Sequence, residues 1–369
     1  MRKFAFRELF YSILPKPAAL GSPEARKVPI KRLLVLCNGS NPTFTYYLEE
    51  RLNRDRFPFD VRHLQDPISG TDPEGVFVII CRYIGPRQLL WLLRNRRRLA
   101  GVSLLVDDDI AATVAGKGGS FWYKIYLCAL GIAPLPLLNR ILSDVWVSTP
   151  QLAEAIALGA VRAPIVLPPF PPAYTFTESP SYRDTNKIMM AFHATGNHDS
   201  EHEFLIPIVQ DAMSCCPKLH FEVTTSNSKV ERAWRTAGLP ACRFRLRPLR
   251  KWIEYVDETR RQTIDILLVP LLESAVNNAR SDTKRFDSAR MGAAALFSCG
   301  HVYELSASPG EMFVENEHRA WVKNILHLAG SEQVRHAVKN ATRNAIETSL
   351  DRAISLLPLG EDQADDNNN

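Results

Sequence analysis

The sequence lacks the paired cysteines that hold structural zinc sites. Its seven cysteines are scattered over 369 residues, and none forms a Cys-x-x-Cys pair. An odd, scattered set argues for a reducing compartment and against a disulfide framework. An uninterrupted run of 18 apolar residues and a signal peptide are also absent, so neither membrane spanning nor export is indicated. With 46% hydrophobic and 23% charged residues, the composition indicates an ordinary soluble globular protein, and the cysteines favour the cytoplasm.

Positive charge is concentrated at the beginning of the chain. Residues 1–32 contain eight Lys or Arg and two Glu, a net charge of +6, and the other 337 residues sum to −1. The segment 4–14 is both basic and amphipathic, and such a segment can lie on an anionic membrane surface. The interpretation that we favour is a helix that packs on the protein and keeps its charges in water, because one short segment is a weak membrane signal. No nucleic-acid motif accompanies these charges, so we expect no nucleic-acid partner.

Apolar strands alternate with helical segments along the chain. This alternation predicts an α/β protein with a parallel, doubly wound sheet in each of two halves. Five prolines within residues 168–186 mark the boundary between the halves. The predicted parts are a basic N-terminal segment 1–30, a first domain 31–167, a linker 168–186, a second domain 187–330, a helix 331–358 that crosses back to the first domain, and a disordered tail 359–369.

The most informative stretch is residues 265–298. An apolar strand ending at Val269 leads through a polar loop to a helix that we expect to begin at Ser281-Asp282 and to end at Gly292. Ligands of open α/β sheets bind at the carboxyl ends of strands, and a helix N-terminus there attracts phosphate. Arg280 and Lys284 flank this terminus, so the stretch predicts a diphosphate site.

The same stretch resembles the donor site of the retaining, two-domain (GT-B type) glycosyltransferases of the group 1, or family 4, class. The resemblance rests on Pro270-Leu271, Asn278-Ala279-Arg280-Ser281, Lys284, Asp287 and Gly292. The sequence departs from the class at two positions. Asp287 stands where the class usually has the second Glu of a Glu-x7-Glu pair. The first Glu of that pair would fall at Ala279, so it is missing or is supplied by Glu273.

The resemblance implies a fold of two facing Rossmann-like domains and a UDP- or GDP-sugar as co-substrate, with no cofactor and no required metal. Lys284 would also act in catalysis. The loop after the first strand would face the acceptor, although its glycine could simply permit a tight turn. The implied donor-binding residues are His193, Thr195, Gly196, Asn278, Arg280, Ser281, Lys284 and Asp287, and the implied acceptor-side residues are Asn38, Gly39 and Ser40.

Three consecutive carboxylates, Asp107, Asp108 and Asp109, follow the apolar strand 102–106. Such groups repel one another and favour water or a ligand, so we expect them to face a cleft as catalytic residues. There they would position an acceptor or stabilise an oxocarbenium-like centre. Two alternatives remain open: a solvated turn in which one Asp caps the next helix, and a divalent-metal site.

Two other patterns have competing interpretations. His193, His198 and His202 follow an H-x4-H-x3-H spacing, but zinc would require their side chains to converge with a fourth ligand. We therefore expect His193 to contact phosphate or sugar instead. The aromatic and apolar run 121–138 either forms a buried core helix, which we expect, or contacts a lipid or a membrane.

Together these features predict a cytoplasmic glycosyltransferase, a hexosyltransferase-like enzyme that takes a sugar from a nucleotide sugar to a hydroxyl of a glycan or lipid-linked glycan. It would serve the synthesis of surface polysaccharides or glycoconjugates. If residues 1–32 lie on an anionic membrane, they would place it peripherally at the inner membrane face. Two alternatives remain. One is a catalytically inactive GT-B-like module that binds a nucleotide sugar or a protein, and the other is a sugar-nucleotide epimerase.

Overall fold

The computed structural model describes residues 2–20, 28–68, 70–157, 162–177, 186–194, 196 and 198–359. They form two sheets, each of six parallel strands. The strands are β1 Arg32–Cys37, β2 Phe59–His63, β3 Val76–Cys81, β4 Gly101–Val106, β5 Asp144–Val147 and β6 Ile165–Val166 in the first sheet, and β7 Ile188–His193, β8 Leu219–Thr224, β9 Phe244–Leu246, β10 Ile266–Val269, β11 Ala294–Ser298 and β12 Met312–Val314 in the second.

Helices cover both faces of each sheet, which is why the central strands are apolar throughout. All six residues of β3, for example, are buried. The helices are α1 Arg2–Ile13, α2 Pro42–Phe44, α3 Glu50–Arg54, α4 Pro86–Asn95, α5 Ile110–Ala115, α6 Phe121–Leu127, α7 Leu135–Leu138, α8 Pro150–Ile156, α9 Asp199–Cys215, α10 Ser228–Arg235, α11 Trp252–Arg261, α12 Ala275–Asn278, α13 Lys284–Met291, α14 His301–Glu304, α15 His318–Gly330 and α16 Glu332–Arg352.

The strand order brings particular loops together. The first sheet has the order β2-β1-β3-β4-β5-β6 and the second has the order β12-β11-β10-β7-β8-β9. In each sheet the chain first adds strands toward one edge and then returns to add strands toward the other edge. The strand order reverses between β1 and β3 in the first sheet and between β7 and β10 in the second. A crevice opens at such a point beyond the carboxyl ends of the strands. The predicted α/β architecture with two parallel sheets is therefore confirmed.

Helix α13 begins later than the sequence indicates. It starts at Lys284 and has Thr283, not Ser281, in the position before its first turn. The Ser281 hydroxyl is hydrogen-bonded to the Tyr47 hydroxyl at 2.5 Å, so it does not cap the helix. The end is as expected, since Gly292 has φ +65° in the left-handed region that favours glycine.

The chain after α16 reaches the first domain. Helix α16 itself packs on α13 and β11 of the second domain. Beyond it, the Arg51 side chain donates from Nε to the Ile354 carbonyl at 2.8 Å, and Leu357 and Leu359 are buried in a core shared with β1. Leu359 thus belongs to the core, contrary to the tail predicted from residue 359. Residues 360–369 lie outside the described part of the chain.

The apolar run 121–138 differs from the predicted buried core helix. It contains α6, a π-helical turn over Cys128–Ile132, and α7. Among the described residues, one helical stretch, Phe121–Leu138, is long and apolar enough to cross a membrane, with a mean hydropathy of 1.4, and 33% of it is buried. The sequence has no uninterrupted apolar run of this length because Lys124 interrupts it, but a single charged residue leaves the mean hydropathy of the stretch high enough for a membrane span.

Candidate functional site

The carboxyl edges of the two sheets enclose a cleft of about 530 Å³. Its walls are the loops after β1, β3 and β4 on one side and the loops after β7 and β10 with the start of α13 on the other. A cavity of this size suits a small organic ligand. The predicted site residues that line it are Asn38, Ser40, Asp107, Asp108, His193, Gly196, Arg280, Ser281, Lys284 and Asp287.

Three other predicted residues do not line the cleft. Gly39 has φ +66° and lies in the turn after β1. This agrees with the alternative interpretation that the glycine simply permits a tight turn. The backbone carbonyl of Asn278 accepts a hydrogen bond from His301 Nε2 at 2.8 Å. Asp109 caps α5 through the Ala112 N–H at 2.8 Å. Thr195 lies outside the described residues.

Asp109 corrects the prediction that all three carboxylates face a cleft. Besides capping α5, its carboxylate accepts a hydrogen bond from the Tyr11 hydroxyl at 2.7 Å, and it is buried. Both oxygens are therefore used inside the first domain. Asp109 therefore fixes α5 and holds α1 against the domain. This agrees with the alternative interpretation, in which one Asp of the three caps the next helix.

Two cations project from the second domain into the cleft. The Lys284 ammonium donates to Asp287 Oδ2 at 2.8 Å and to the His193 carbonyl at 3.0 Å, and its side chain is 31% exposed. Arg280 contacts the His198 ring, and its Nε lies 3.7 Å from Asp108 Oδ1. That Nε is buried without a hydrogen-bond acceptor in the described structure. Arg280 and Lys284 together can therefore bind an anion in the cleft.

Asp287 is the most strongly held carboxylate of the site. Its Oδ1 accepts from the Tyr46 hydroxyl at 2.8 Å and from Arg290 at 2.5 Å, and Lys284 binds Oδ2. Burial opposes its ionisation, but the charges of Lys284 and Arg290 hold the pKa of Asp287 well below its usual value. Asp287 is thus a permanent negative charge that links the first domain to α13.

Arg82 also lines the cleft, although it was not among the residues predicted from the sequence. It has φ +67°, the only positive φ among the described non-glycine residues. The Tyr83 N–H donates to the Cys81 carbonyl across it at 2.9 Å, which makes a tight three-residue turn. Such a backbone costs about 1–3 kcal/mol and is characteristic of functional sites. Its position directly after the buried strand β3 is the signal that would have found it.

The Arg82 guanidinium lies between the two carboxylates that do face the cleft. One terminal nitrogen is 3.1 Å from Asp107 Oδ1, and the other is 3.2 Å from Asp108 Oδ2. Burial, reinforced by the Asp108 charge, raises the pKa of Asp107 despite Arg82 and a hydrogen bond from Thr43. Burial also opposes ionisation of Asp108, but Arg280 and Arg82 lower the pKa of Asp108 below its usual value. The two neighbouring acids therefore differ in basicity, as acid–base pairs in enzymes do.

The three histidines do not converge on a metal site. Both ring nitrogens of His193 are engaged, by Tyr255 at 3.2 Å and Glu222 at 2.9 Å, so its ring faces into the second domain. His202 accepts from the Trp234 indole at 3.0 Å. Burial lowers the pKa of His198 and of His202 to about 4. No cluster of three or more metal-ligating side chains occurs in the described part of the chain. The His193 carbonyl accepts a hydrogen bond from Lys284 at 3.0 Å, and the predicted contact of His193 with phosphate or sugar stays a prediction.

The two walls of the cleft are tied together by first-domain residues of a π-helical turn, Thr45–Glu49. This turn carries Tyr46 to Asp287 and Tyr47 to Ser281, and Trp252 donates to Thr45 Oγ1 at 3.0 Å. π-Helical turns are frequent at functional sites. These contacts fix Asp287 and the loop before α13 relative to the first domain.

No family model matches the chain, and no curated protein matches it. Several solved structures share its fold. HepE of Anabaena, in complex with UDP and glucose, has a TM-score of 0.58 at 10% identity over 87% of this chain and 95% of HepE. A mutant O-GlcNAc transferase of Thermobaculum terrenum has a TM-score of 0.51 at 12% identity over 95% of this chain and 69% of its own.

A pneumococcal O-GlcNAc transferase, GtfA, in complex with UDP and GlcNAc, gives a TM-score of 0.50 at 11% identity over 74% of this chain and 54% of its own. These similarities confirm the expected GT-B type fold of two facing Rossmann-like domains. At such low identity the similarity concerns the fold alone.

Proposed function

We propose that this chain is a nucleotide-sugar-dependent glycosyltransferase that transfers a sugar from a UDP- or GDP-sugar to a hydroxyl of a glycan or lipid-linked glycan. The observation that carries the proposal is the pair Arg280 and Lys284, which face the cleft from the second domain opposite two carboxylates of the first. The neighbours of similar fold that were solved with UDP and a sugar support it.

The charges of the cleft suit the breaking of a glycosidic bond to a diphosphate. Arg250, Arg280 and Lys284 line the second-domain side against the single carboxylate of Asp287. As the bond between the anomeric carbon and the diphosphate oxygen breaks, negative charge grows on that oxygen. Cations held in place beforehand stabilise this charge without reorganising. The second-domain side therefore binds the donor and promotes its departure.

The first-domain side suits the acceptor. Asp107, whose pKa is raised by burial, accepts a hydrogen bond from Thr43 at 2.7 Å and lines the cleft on the side that we assign to the acceptor. A carboxylate of raised pKa is suited to accepting the proton of that hydroxyl as it attacks. Asp108 stays ionised and would stabilise positive charge at the anomeric carbon. Retention of configuration, which the resemblance implies, is part of the proposal, and it requires the acceptor oxygen to attack the anomeric carbon from the same face that the diphosphate leaves.

The experiment is a transfer assay guided by ligand screening. A thermal-shift panel of nucleoside diphosphates identifies the base, since a ligand at 100 times its Kd stabilises the native state by about 2.7 kcal/mol. The matching sugar nucleotides are then incubated with glycan and lipid-linked acceptors, and products are followed by mass spectrometry. We expect sugar transfer to the acceptor. Conversion of the sugar nucleotide without any acceptor would instead identify an epimerase.

The inactive GT-B-like module remains the second candidate. It is favoured by Asp287, whose carboxylate already has three partners, and by Ala279, which supplies no acid. Binding of a nucleotide sugar that is neither hydrolysed nor transferred with any acceptor would identify such a module.

We also propose that transfer needs no bound metal. The diphosphate charge would be met by Arg280 and Lys284, so no divalent cation is required to neutralise it. Activity should survive dialysis against EDTA. Loss of activity on chelation, restored by Mg²⁺ or Mn²⁺, would contradict this and assign Asp107 and Asp108 to a metal.

A further inference from the structure

We infer that α1 and α6 form one docking face for an anionic phospholipid bilayer, placed so that a lipid-held acceptor enters the cleft directly. The apolar residues of this docking face are Leu9, Ile13, Phe121, Trp122 and Ile125. The choice of a lipid-held acceptor rests on the proposed glycosyl transfer, whereas the docking face itself rests on exposure and charge alone.

The docking face exposes large apolar side chains that a soluble surface rarely shows together. Phe121 is 71% exposed and Trp122 is 76% exposed, and their rings contact each other at 5.7 Å. On α1, Leu9 is 63% and Ile13 is 68% exposed, one helical turn apart. Clustered exposed apolar groups mark an interaction surface, and Trp is characteristic of the membrane interface.

The two helices are neighbours in the first domain, because both pack on α5. Tyr11 anchors α1 through Asp109, and the Lys16 ammonium lies 4.1 Å from the Tyr11 ring centre. Burial, together with the charge of Arg7, lowers the pKa of Lys124 on α6. The helices therefore lie close enough for their side-chain charges to interact.

The charges of the docking face favour an anionic partner. Arg7 and Lys124 repel each other, and Lys117 is exposed in the loop before α6; in the described residues none of the three forms an ion pair with a carboxylate. Glu8, exposed on α1, is the one acidic residue of the two helices. A partner protein would need a matching acidic and apolar patch, whereas an anionic bilayer offers both properties over any area. Each basic residue near such a surface contributes about 1 kcal/mol. Charge complementarity thus favours the bilayer.

Helix α6 separates the docking face from the cleft. Tyr123 lines the cleft, and the Tyr126 hydroxyl accepts from Asn38 Nδ2 at 2.9 Å. Trp122 and Ile125, each one residue earlier, form the neighbouring stripe of the same helix and face solvent. When the outer stripe enters the bilayer, the inner stripe places the first-domain wall of the cleft at the lipid headgroups. An acceptor carried by a lipid then reaches the cleft without leaving the membrane.

The experiment is sedimentation of the full chain with vesicles of phosphatidylcholine alone or mixed with phosphatidylglycerol. The test variant is Phe121→Ser/Trp122→Ser, and Leu305→Ser, at a residue 72% exposed in the second domain, is the matched control. We expect binding to the anionic vesicles, a loss of at least tenfold in the double variant, and no loss in the control. Brominated lipids should also quench tryptophan fluorescence in the wild type but much less in Trp122→Phe.

Several outcomes would overturn the inference. These are absence of wild-type binding to anionic vesicles at low salt, equal binding to neutral vesicles, unchanged binding of the double variant, or a wild-type dimer that the double variant abolishes. Nucleoside diphosphate binding and the melting temperature, measured in parallel, separate the two proposals. If vesicles bind and nucleotides do not, the proposed transfer fails while the docking face stands.

Discussion

The two walls of the cleft are built in different ways. The second-domain wall comes mainly from one continuous stretch, where Arg280, Lys284 and Asp287 lie within eight residues. The first-domain wall is assembled from separate strand ends, with Arg82 after β3 and Asp107 after β4. The second wall is cationic around one fixed carboxylate, and the first pairs two carboxylates with one cation. The comparison teaches that a binding wall made from one segment leaves a local motif, whereas one assembled by sheet topology does not.

The largest effect should come from the fixed charge of the second wall. Asp287→Asn leaves Arg290, which is fully buried, without its partner carboxylate. Removing one member of a buried ion pair costs about 3–5 kcal/mol, so the free energy of unfolding should fall by that amount in urea denaturation. Asp257→Asn, at an exposed ion pair with Arg261, is the control and should change little. A fall no larger than that of the control would show that Asp287 does not tie the walls together.

Lys284→Ala should have the next largest effect, on binding. Loss of a charge-assisted hydrogen bond to phosphate would weaken nucleoside diphosphate binding by about 1.5–3 kcal/mol, while nucleoside binding should change much less. Calorimetric titration measures both ligands, with Lys229→Ala as control because that side chain is 87% exposed. Equal weakening of nucleoside and nucleoside diphosphate would reject the phosphate role.

Asp108→Asn should act in the opposite direction. The Asp108 carboxylate neutralises Arg280 at 3.7 Å, so removing its charge should tighten nucleoside diphosphate binding, by up to about 1 kcal/mol, the range of partly exposed ion pairs. Turnover should fall in the same variant because the charge at the anomeric carbon is lost. If diphosphate binding weakens instead, Asp108 holds Arg280 in its binding position and does not compete with the ligand.

Arg82→Gln should have the smallest effect on ligand binding, and its expected result is a change in the pH dependence of activity. Arg82 lowers the pKa of Asp107, so its removal should raise that pKa further. If ionised Asp107 accepts the proton, activity is lost as pH falls through its pKa, and the acidic limb of kcat/KM should move to higher pH. Arg98→Gln, an exposed cation of the first domain, is the control. An unmoved limb would remove Asp107 from the proton transfer.

The sheets could be predicted because their strands are short apolar runs bounded by polar turns. The strand predicted at 102–106, for example, begins one residue earlier, at Gly101, and the strand predicted to end at Val269 does end there. Local backbone requirements were also predictable, as Gly292 shows at the end of α13. Such features depend on a few neighbouring residues, which the sequence displays directly.

Features that depend on distant residues could not be predicted. Ser281 has the sequence of a helix cap, but Tyr47, 234 residues away in the chain, uses its hydroxyl. No feature of the sequence indicates the positive φ of Arg82. Only its position directly after a buried strand could have drawn attention to it. Phe121 and Trp122 have the composition of a core helix, and only the packing of α6 on α5 shows that they remain exposed.

The measurement that tests the account most directly is calorimetric titration of the wild-type chain with UDP, GDP and their nucleosides at two salt concentrations. The account predicts that one nucleoside diphosphate binds at least tenfold more tightly than its nucleoside, and that this advantage shrinks at high salt, because Arg280 and Lys284 act through charge. Equal affinity for nucleoside and diphosphate, or no binding of either, would contradict the assignment of the second wall as the donor site.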